Sequence, residues 1–395
     1  MLRTFACSSL ATRRQFLFRS LFGAAFGAFC LNVDSTSAAE EANAFLGKET
    51  VLLLPPGKDN PRNSEGDFIR LKTGEILFVY TRYYASSAND DAPARLVSRI
   101  ADSEGRNWSS YDALVLENEG RLNVMSVTLL RFTDDSIALF YLVKDAPGDC
   151  RPYLRVSRDE GKTWSERTSI IDDPTYNVLN NSRVVVLSNG RILVPVARHG
   201  ALVEGQFQWD SKALLSCYIS DDQGVSWKQS DGVPNPFSHL FQEPGVVELA
   251  DGRILMTIRN ESGRQLFSYS QDAGETWSIP TPSSLVSPLS PASIKRLPQS
   301  DLLVAVWNES PKMRDPLALA ILDPKGEKIL AKRIIDAADG DGKRGFCYPA
   351  LFFLNQTSLL VGYCNGDGAY ALNSSKIIRV DLSVLVKEAM DNTEK

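Results

Sequence analysis

Histidine is nearly absent. The chain has two, His199 and His239, and no Cys/His spacing that would hold zinc. Cysteine is also sparse. Six are present, and two of them (Cys7 and Cys30) precede residue 40. The remaining four, Cys150, Cys217, Cys347 and Cys364, can pair in three ways, among which the sequence does not choose. An excess of positive charge is lacking too: the net charge is −5. Without residues 1–39, which carry four basic residues (Arg3, Arg13, Arg14, Arg19) and one acid (Asp34), 39 basic and 47 acidic residues remain, a net −8. That argues against nucleic acid or an anionic membrane as partner. After residue 39 no apolar run is long enough to span a bilayer. Helical periodicity is scarce before Leu382–Met390, where a short terminal helix is expected.

What is present begins with an address. Arg13-Arg14-Gln15-Phe16-Leu17 precedes an apolar stretch from Leu21 to Leu31, then the small residues Ser37-Ala38-Ala39. A twin arginine, a short apolar core and a small-residue cleavage site read as a twin-arginine export signal over residues 1–39. The expected location is periplasmic or secreted. Residues 40–395 then form one domain, with no linker inside residues 45–385.

Two repeats organise that domain. The first is Ser-x-Asp-x-Gly-x-Thr-Trp, cleanest at Ser157–Trp164, repeated at Ser220–Trp227 and Ser270–Trp277. Ala101–Trp108 is a worn copy that keeps the glycine and tryptophan but not the central acid. Asp, Ser and Thr side chains bond loop amides, Gly takes positive φ and Trp packs under the turn, so each copy reads as a hairpin. The second repeat is a turn followed by an apolar strand, opening at Leu71, Phe132, Leu187, Leu249, Leu297 and Leu354. Its six copies lie 48 to 62 residues apart and alternate with the boxes in constant order. Units of this size built from short strands predict an all-β fold, a six-bladed β-propeller with one four-stranded sheet per blade. A pair of β-sandwiches fits the even spacing less well. The ring must close. The apolar stretches Val51–Leu54 and Ile377–Val380 are expected to pair in one blade, leaving no open edge. Several strands of the second repeat end in polar residues: Arg82, Arg198, Arg259 and Asn308. On one rim these predict a convergent cationic pocket.

These features resemble the sialidase (neuraminidase) family, from about Arg62 to Gly366. The boxes mark the fold and also occur in non-enzymatic proteins. The resemblance becomes specific in a sparse set of polar residues in family order: Arg62 in RNSEGDFIRLKTG, Asp90 in SANDDAPARLVSR, Glu243 and Arg259 in QEPGVVELADGRILMTIRN, Arg314 in WNESPKMRDPLALAI, and Tyr348 in FCYPALFFL. It implies a retaining exo-sialidase. Arg62, Arg259 and Arg314 would bind the sugar carboxylate, since guanidinium groups hold carboxylates with paired charge-assisted bonds. Arg82 is a further expected substrate-binding residue. Tyr348 would be the nucleophile, because a carboxylate nucleophile is repelled by the anionic sugar. Glu243 would be its base, and Asp90, with Asp91 as neighbouring alternative, the acid/base. No cofactor is implied, and the boxes do not require calcium. The expected partners are sialylated or other acidic glycans, met by a monomer.

Two departures touch the first arginine. The usual Arg-Ile-Pro is Arg-Asn-Ser, and Cys364 stands near the place of a glutamate that orients it, leaving Glu65 or Asp67 to do so. Two other readings stay open: a glycosidase or lyase acting on another acidic sugar such as a uronate, and a non-catalytic glycan-binding propeller.

Overall fold

The computed structural model describes residues 47–338, 344–367 and 372–393, so the expected export segment lies outside the described residues. The turn-plus-strand repeat folds as its composition demands. In the Leu187 copy, Gly190 N donates to Leu187 O and Leu187 N to Arg191 O, closing a tight turn. The strand that follows, Ile192–His199, is buried through its first six residues. It is continuously apolar because both of its faces pack against neighbouring sheets.

Six blades result. Blade 1 is Asn63–Arg70, Ile76–Tyr83, Ala94–Ala101 and Ala113–Leu116. Blade 2 is Asn123–Arg131, Ile137–Ala146, Asp149–Ser157 and Thr168–Ser169. Blade 3 is built on Val185–Val186, Ile192–His199, Leu214–Ser220 and Lys228–Gln229, and it joins blade 2 through the parallel bridge Tyr176↔Cys150. Blade 4 runs Gln242–Glu248, Ile254–Arg259, Arg264–Ser270 and Thr281–Val286. Blade 5 runs Ser293–Arg296, Leu303–Asn308, Leu317–Leu322 and Ile329–Asp336. Blade 6 is Arg344–Phe353, Ser358–Asp367 and Ser375–Asp381, completed by the N-terminal strand Lys48–Leu54. That strand pairs antiparallel from Lys48↔Val380 to Leu54↔Ser375, so the first and last stretches of the domain close the ring as expected. A helix, Ser383–Thr393, follows and buries Leu385 and Ala389. No helix among the described residues is long and apolar enough to cross a membrane.

The boxes brace neighbouring blades. In the first full copy Asp159 Oδ1 accepts from Thr163 N (2.9 Å) and Ser157 Oγ (2.8 Å), and Oδ2 accepts from Thr163 Oγ1 (2.6 Å). These bonds hold its pKa down to about 2. In the worn copy Asp102 takes over the missing acid's work one residue early, accepting from Arg106 N at 3.0 Å. The box glycines abut leucines of the preceding blade: a Cβ at Gly105, Gly161, Gly224 or Gly274 would lie 2.8, 3.3, 2.5 or 2.9 Å from Leu360, Leu77, Leu154 or Leu193. Gly326 makes the same approach to Leu255 (2.6 Å) without a box. Chain direction puts these turns on one face of the ring and the starts of the innermost strands on the other.

Candidate active site

The innermost strands carry an unusual backbone. Glu65, Ser126, Ser182, Glu243 and Tyr348 have φ of 56°, 59°, 57°, 32° and 54°. None is glycine, and each sits near the start of the inner strand of blades 1, 2, 3, 4 or 6. The ladder slips beside four of them, between Ser64 and Asp67, Met125 and Thr128, Gln242 and Gly245, and Cys347 and Ala350. A bulge with one left-handed residue turns its side chain out of the strand's alternation. Such backbone costs of order 1–3 kcal/mol per residue and persists only where the surroundings over-determine it. Asn181 supplies part of that restraint, donating from Nδ2 to Gly66 O (2.9 Å) and Tyr348 O (3.3 Å) across the axis. Asn308 Nδ2 donates to Phe346 O at 3.1 Å.

Two re-aimed side chains, Tyr348 and Glu243, carry the chemistry. Tyr348 donates its hydroxyl to Glu243 Oε1 at 3.1 Å. Glu243 Oε2 accepts from Arg259 Nη1. Burial, with Glu243 and Cys347 adding to it, holds the Tyr348 phenol well above its ordinary pKa, against the pull of Arg259 and Arg314. At rest it is therefore a neutral donor. Arg314 lies near enough for Tyr348, Arg259 and Glu243 to act on its charge: burial lowers its pKa, and Cys347 and Tyr348 outweigh that and raise it. Its backbone oxygen accepts from Phe346 N at 2.7 Å, tying its loop to the tyrosine strand.

Arg62 forms the other side of the group. It is 2% exposed. Nη1 donates to Asp90 Oδ1 at 2.5 Å, Nη2 to Glu65 Oε2 at 3.4 Å and Nε to Ser64 Oγ at 3.1 Å, while the guanidinium lies over the Tyr83 ring at 4.4 Å. Of the two acids considered for orienting it, Glu65 does so; Asp67 instead accepts from Leu129 N at 3.0 Å. Burial pushes the Glu65 carboxyl up to about 7; Arg62 opposes this, and Asp90 and Glu243 add to it. Asp90 itself is largely exposed, and Asp91 turns away to Lys144 Nζ at 2.5 Å.

Strand-end position alone does not deliver the cationic pocket. The structure does not bring Arg82 into this group: it faces Asp112, 3.4 Å from its Oδ2, together with Arg99 and the Tyr80 hydroxyl. Arg198 is exposed and Asn308 is buried in the strand packing, so of these four strand ends Arg259 is the one that joins Glu243. Side chains alternate along a strand, and an ending residue takes whichever face its register assigns. His199, with burial lowering its pKa, lies near Glu243 and Arg259 and stacks on the exposed Trp209 at 4.6 Å. Trp209 follows a hairpin inserted between two strands of blade 3, Ala201–Val203 with Gln206–Gln208, and no repeat marks it. Among the described residues no cluster of His, Cys, Asp and Glu could hold a metal ion, and the four cysteines are free thiols.

The family of BNR repeat-like domains matches residues 81–361. No curated protein matches by sequence. Solved structures match the fold. An intramolecular trans-sialidase from Ruminococcus gnavus, in complex with oseltamivir carboxylate, superposes with a TM-score of 0.67 at 14% identity, over 86% of this chain and 98% of that one. A protein of unknown function from Dyadobacter fermentans gives 0.66 at 20% identity, over 85% and 99%. The NanB sialidase of Streptococcus pneumoniae gives 0.64 at 13%, over 85% and 71%.

Proposed function

Because the chain belongs to the family of BNR repeat-like domains and has the sialidase propeller fold, we propose that its rim site is a glycoside hydrolase centre that releases terminal sialic acid with retention. The Tyr348–Glu243–Arg259 relay supports this most strongly. A phenol is a weak nucleophile at neutral pH unless a base takes its proton as the new bond forms. Glu243 Oε1 receives that proton while the Tyr348 oxygen attacks the anomeric carbon. Asp90 gives its proton to the departing glycosidic oxygen. In the second step Asp90 takes a proton from water, water displaces the tyrosine oxygen, and Glu243 returns the proton to Tyr348. Arg62, Arg259 and Arg314 bind the sugar carboxylate; Arg62 and Arg259 turn from Asp90 and Glu243 to do so. Asp90 is the acid/base in preference to Asp91, which Lys144 holds.

One observation favours a second reading. Every nitrogen of Arg62 already has a partner, and its acids come from Glu65 and Asp90. With Arg62 held there, Arg259 and Arg314 remain for a sugar carboxylate, and a uronate carries its carboxylate away from the anomeric carbon. The test is release of sialic acid from a chromogenic sialoside, with Tyr348→Phe as control. Cleavage of a uronate-capped oligosaccharide but not the sialoside would reject the first reading. Activity of Tyr348→Phe equal to the parent's would reject the mechanism for either sugar. We further propose that residues 1–39 direct export and are removed, and that the mature monomer acts on glycans outside the cytoplasm.

A further inference from the structure

Below the tyrosine, the ring encloses a second polar site that this chemistry does not use. The inner strands of blades 3, 4 and 5 line a cavity of about 300 Å³ whose walls include Arg183, Gly245, Thr257, Ser293 and Lys295. That is room for a small organic acid or about ten waters. The cavity reaches the turn face of the ring beside Val186, Glu248 and Arg296.

Arg183 is 3% exposed. Its Nη1 is fully engaged, donating to Ser293 Oγ (3.1 Å), Pro349 O (3.3 Å) and Ser182 O (3.4 Å). Its Nε and Nη2 have no hydrogen-bond partner among the described residues. Those two nitrogens are not a random pair. They form one straight edge of the guanidinium, with parallel N–H bonds spaced to meet both oxygens of a carboxylate. Leaving buried donors unmatched carries their full desolvation penalty. Gly245 keeps the edge clear: a Cβ there would lie 2.9 Å from Arg183 Cδ, 3.2 Å from its Nε and 3.0 Å from Thr257 Oγ1.

The surrounding charge suits an anion. Lys295, from the inner strand of blade 5, is near enough to act on both Arg183 and Asp67. Asp67 is the acid facing it; burial raises the Asp67 pKa, and its Oδ1 has no partner among the described residues. Glu243 lies on the rim side, near enough to act on Arg183. Glu248 at the mouth is held by Ser188 N (2.7 Å) and Ser188 Oγ (2.6 Å), and Arg296 there is exposed. Two cations, from blades 3 and 5, thus line the cavity, and one buried acid, Asp67, lies near enough to act on both.

We propose that this axial cavity binds a small carboxylate, clasped by Nε and Nη2 of Arg183 and by Lys295, at a site separate from the rim and entered from the opposite face. It does not rest on the reading of the rim as a hydrolase. Formate is the probe. The chain without residues 1–39 is titrated with it at constant ionic strength, following the unfolding midpoint and the line width of isotope-labelled formate. The same titration is run on Gly245→Ala, Lys295→Met and Arg314→Met. The expected result is a saturable response in the parent and in Arg314→Met, none in Gly245→Ala, and at least about tenfold weaker binding in Lys295→Met, as loss of a charged hydrogen-bond partner implies. If Gly245→Ala does not fold, Lys295→Met decides. No saturable response in the parent overturns the proposal. So does an equal response in the parent, Gly245→Ala and Lys295→Met, or a response lost only in Arg314→Met, which marks the rim as the binding site.

Discussion

Tyr348 and Glu243 reach each other, hydroxyl to Oε1 at 3.1 Å, from the inner strands of two blades that are not neighbours in the ring. Each holds positive φ to do so. Replacing Tyr348 by Phe removes the oxygen and leaves the ring and its buried contacts. Turnover of a sialoside should fall by at least about 10³-fold, as for loss of a nucleophile. The unfolding midpoint should stay close to the parent's. Collapse of both would mean that the hydroxyl is structural.

Asp90 and Asp91 are adjacent in sequence and part company in space. Asp90→Asn should slow an alkyl sialoside by about 10²–10⁴-fold, the usual worth of general acid–base catalysis. It should slow an aryl sialoside with a good leaving group less. Asp91→Asn, which takes its partner from the buried Lys144, should leave both rates close to the parent's, since Asp91 faces Lys144 and not Arg62. The ratio of rates on the two substrates checks this.

Glu65 makes stability depend on pH. Its carboxyl is raised from 4.5 to about 7, mainly by burial. The folded state therefore binds a proton that the unfolded chain has released. The stabilisation is fully present below pH 4.5 and is lost as pH rises through 7, by roughly 3 kcal/mol at most. Glu65→Gln should flatten that part of the stability curve. Denaturant melts at pH 4.5 and pH 8 measure it, and an unchanged slope between them would remove Glu65 as the titrating group.

Two turn glycines separate backbone strain from contact between blades. Gly252 has φ +84° and no other atom within 4 Å of a Cβ; Gly224 has φ +85° and Leu154 at 2.5 Å. Gly252→Ala should cost about 1 kcal/mol for its backbone alone. Gly224→Ala should cost about 2 kcal/mol or more, because Leu154 must also move. Activity per folded molecule should be unchanged in both. Equal costs would show that the box does not brace its neighbour.

The blades were legible because their turns repeat. Leu-x-x-Gly and the box each need particular side chains, so local chemistry writes the count into the sequence, and the strands Lys48–Leu54 and Ser375–Asp381 could be matched as the two ends of a ring. The site was legible only through resemblance. The left-handed bulges at Glu65, Ser126, Ser182, Glu243 and Tyr348 use no glycine, so nothing local announces them; the closed ring enforces them. Arg82 misled because a strand's end predicts a rim and not a face. Arg183 was missed because an arginine before Val184-Val185-Val186 reads as the solvated start of a strand. Its burial depends on Gly245 and Pro349, distant in sequence.

The closing strand has a consequence in time. Lys48–Leu54 is made first, yet its partner Ser375–Asp381 is made about 320 residues later. At ordinary rates of synthesis that is a wait on the order of half a minute with an unpaired apolar edge. The sixth sheet is therefore the last to be completed. Tyr348 stands in that sheet, so the residue offered as nucleophile gains its setting only when the two ends of the domain have met.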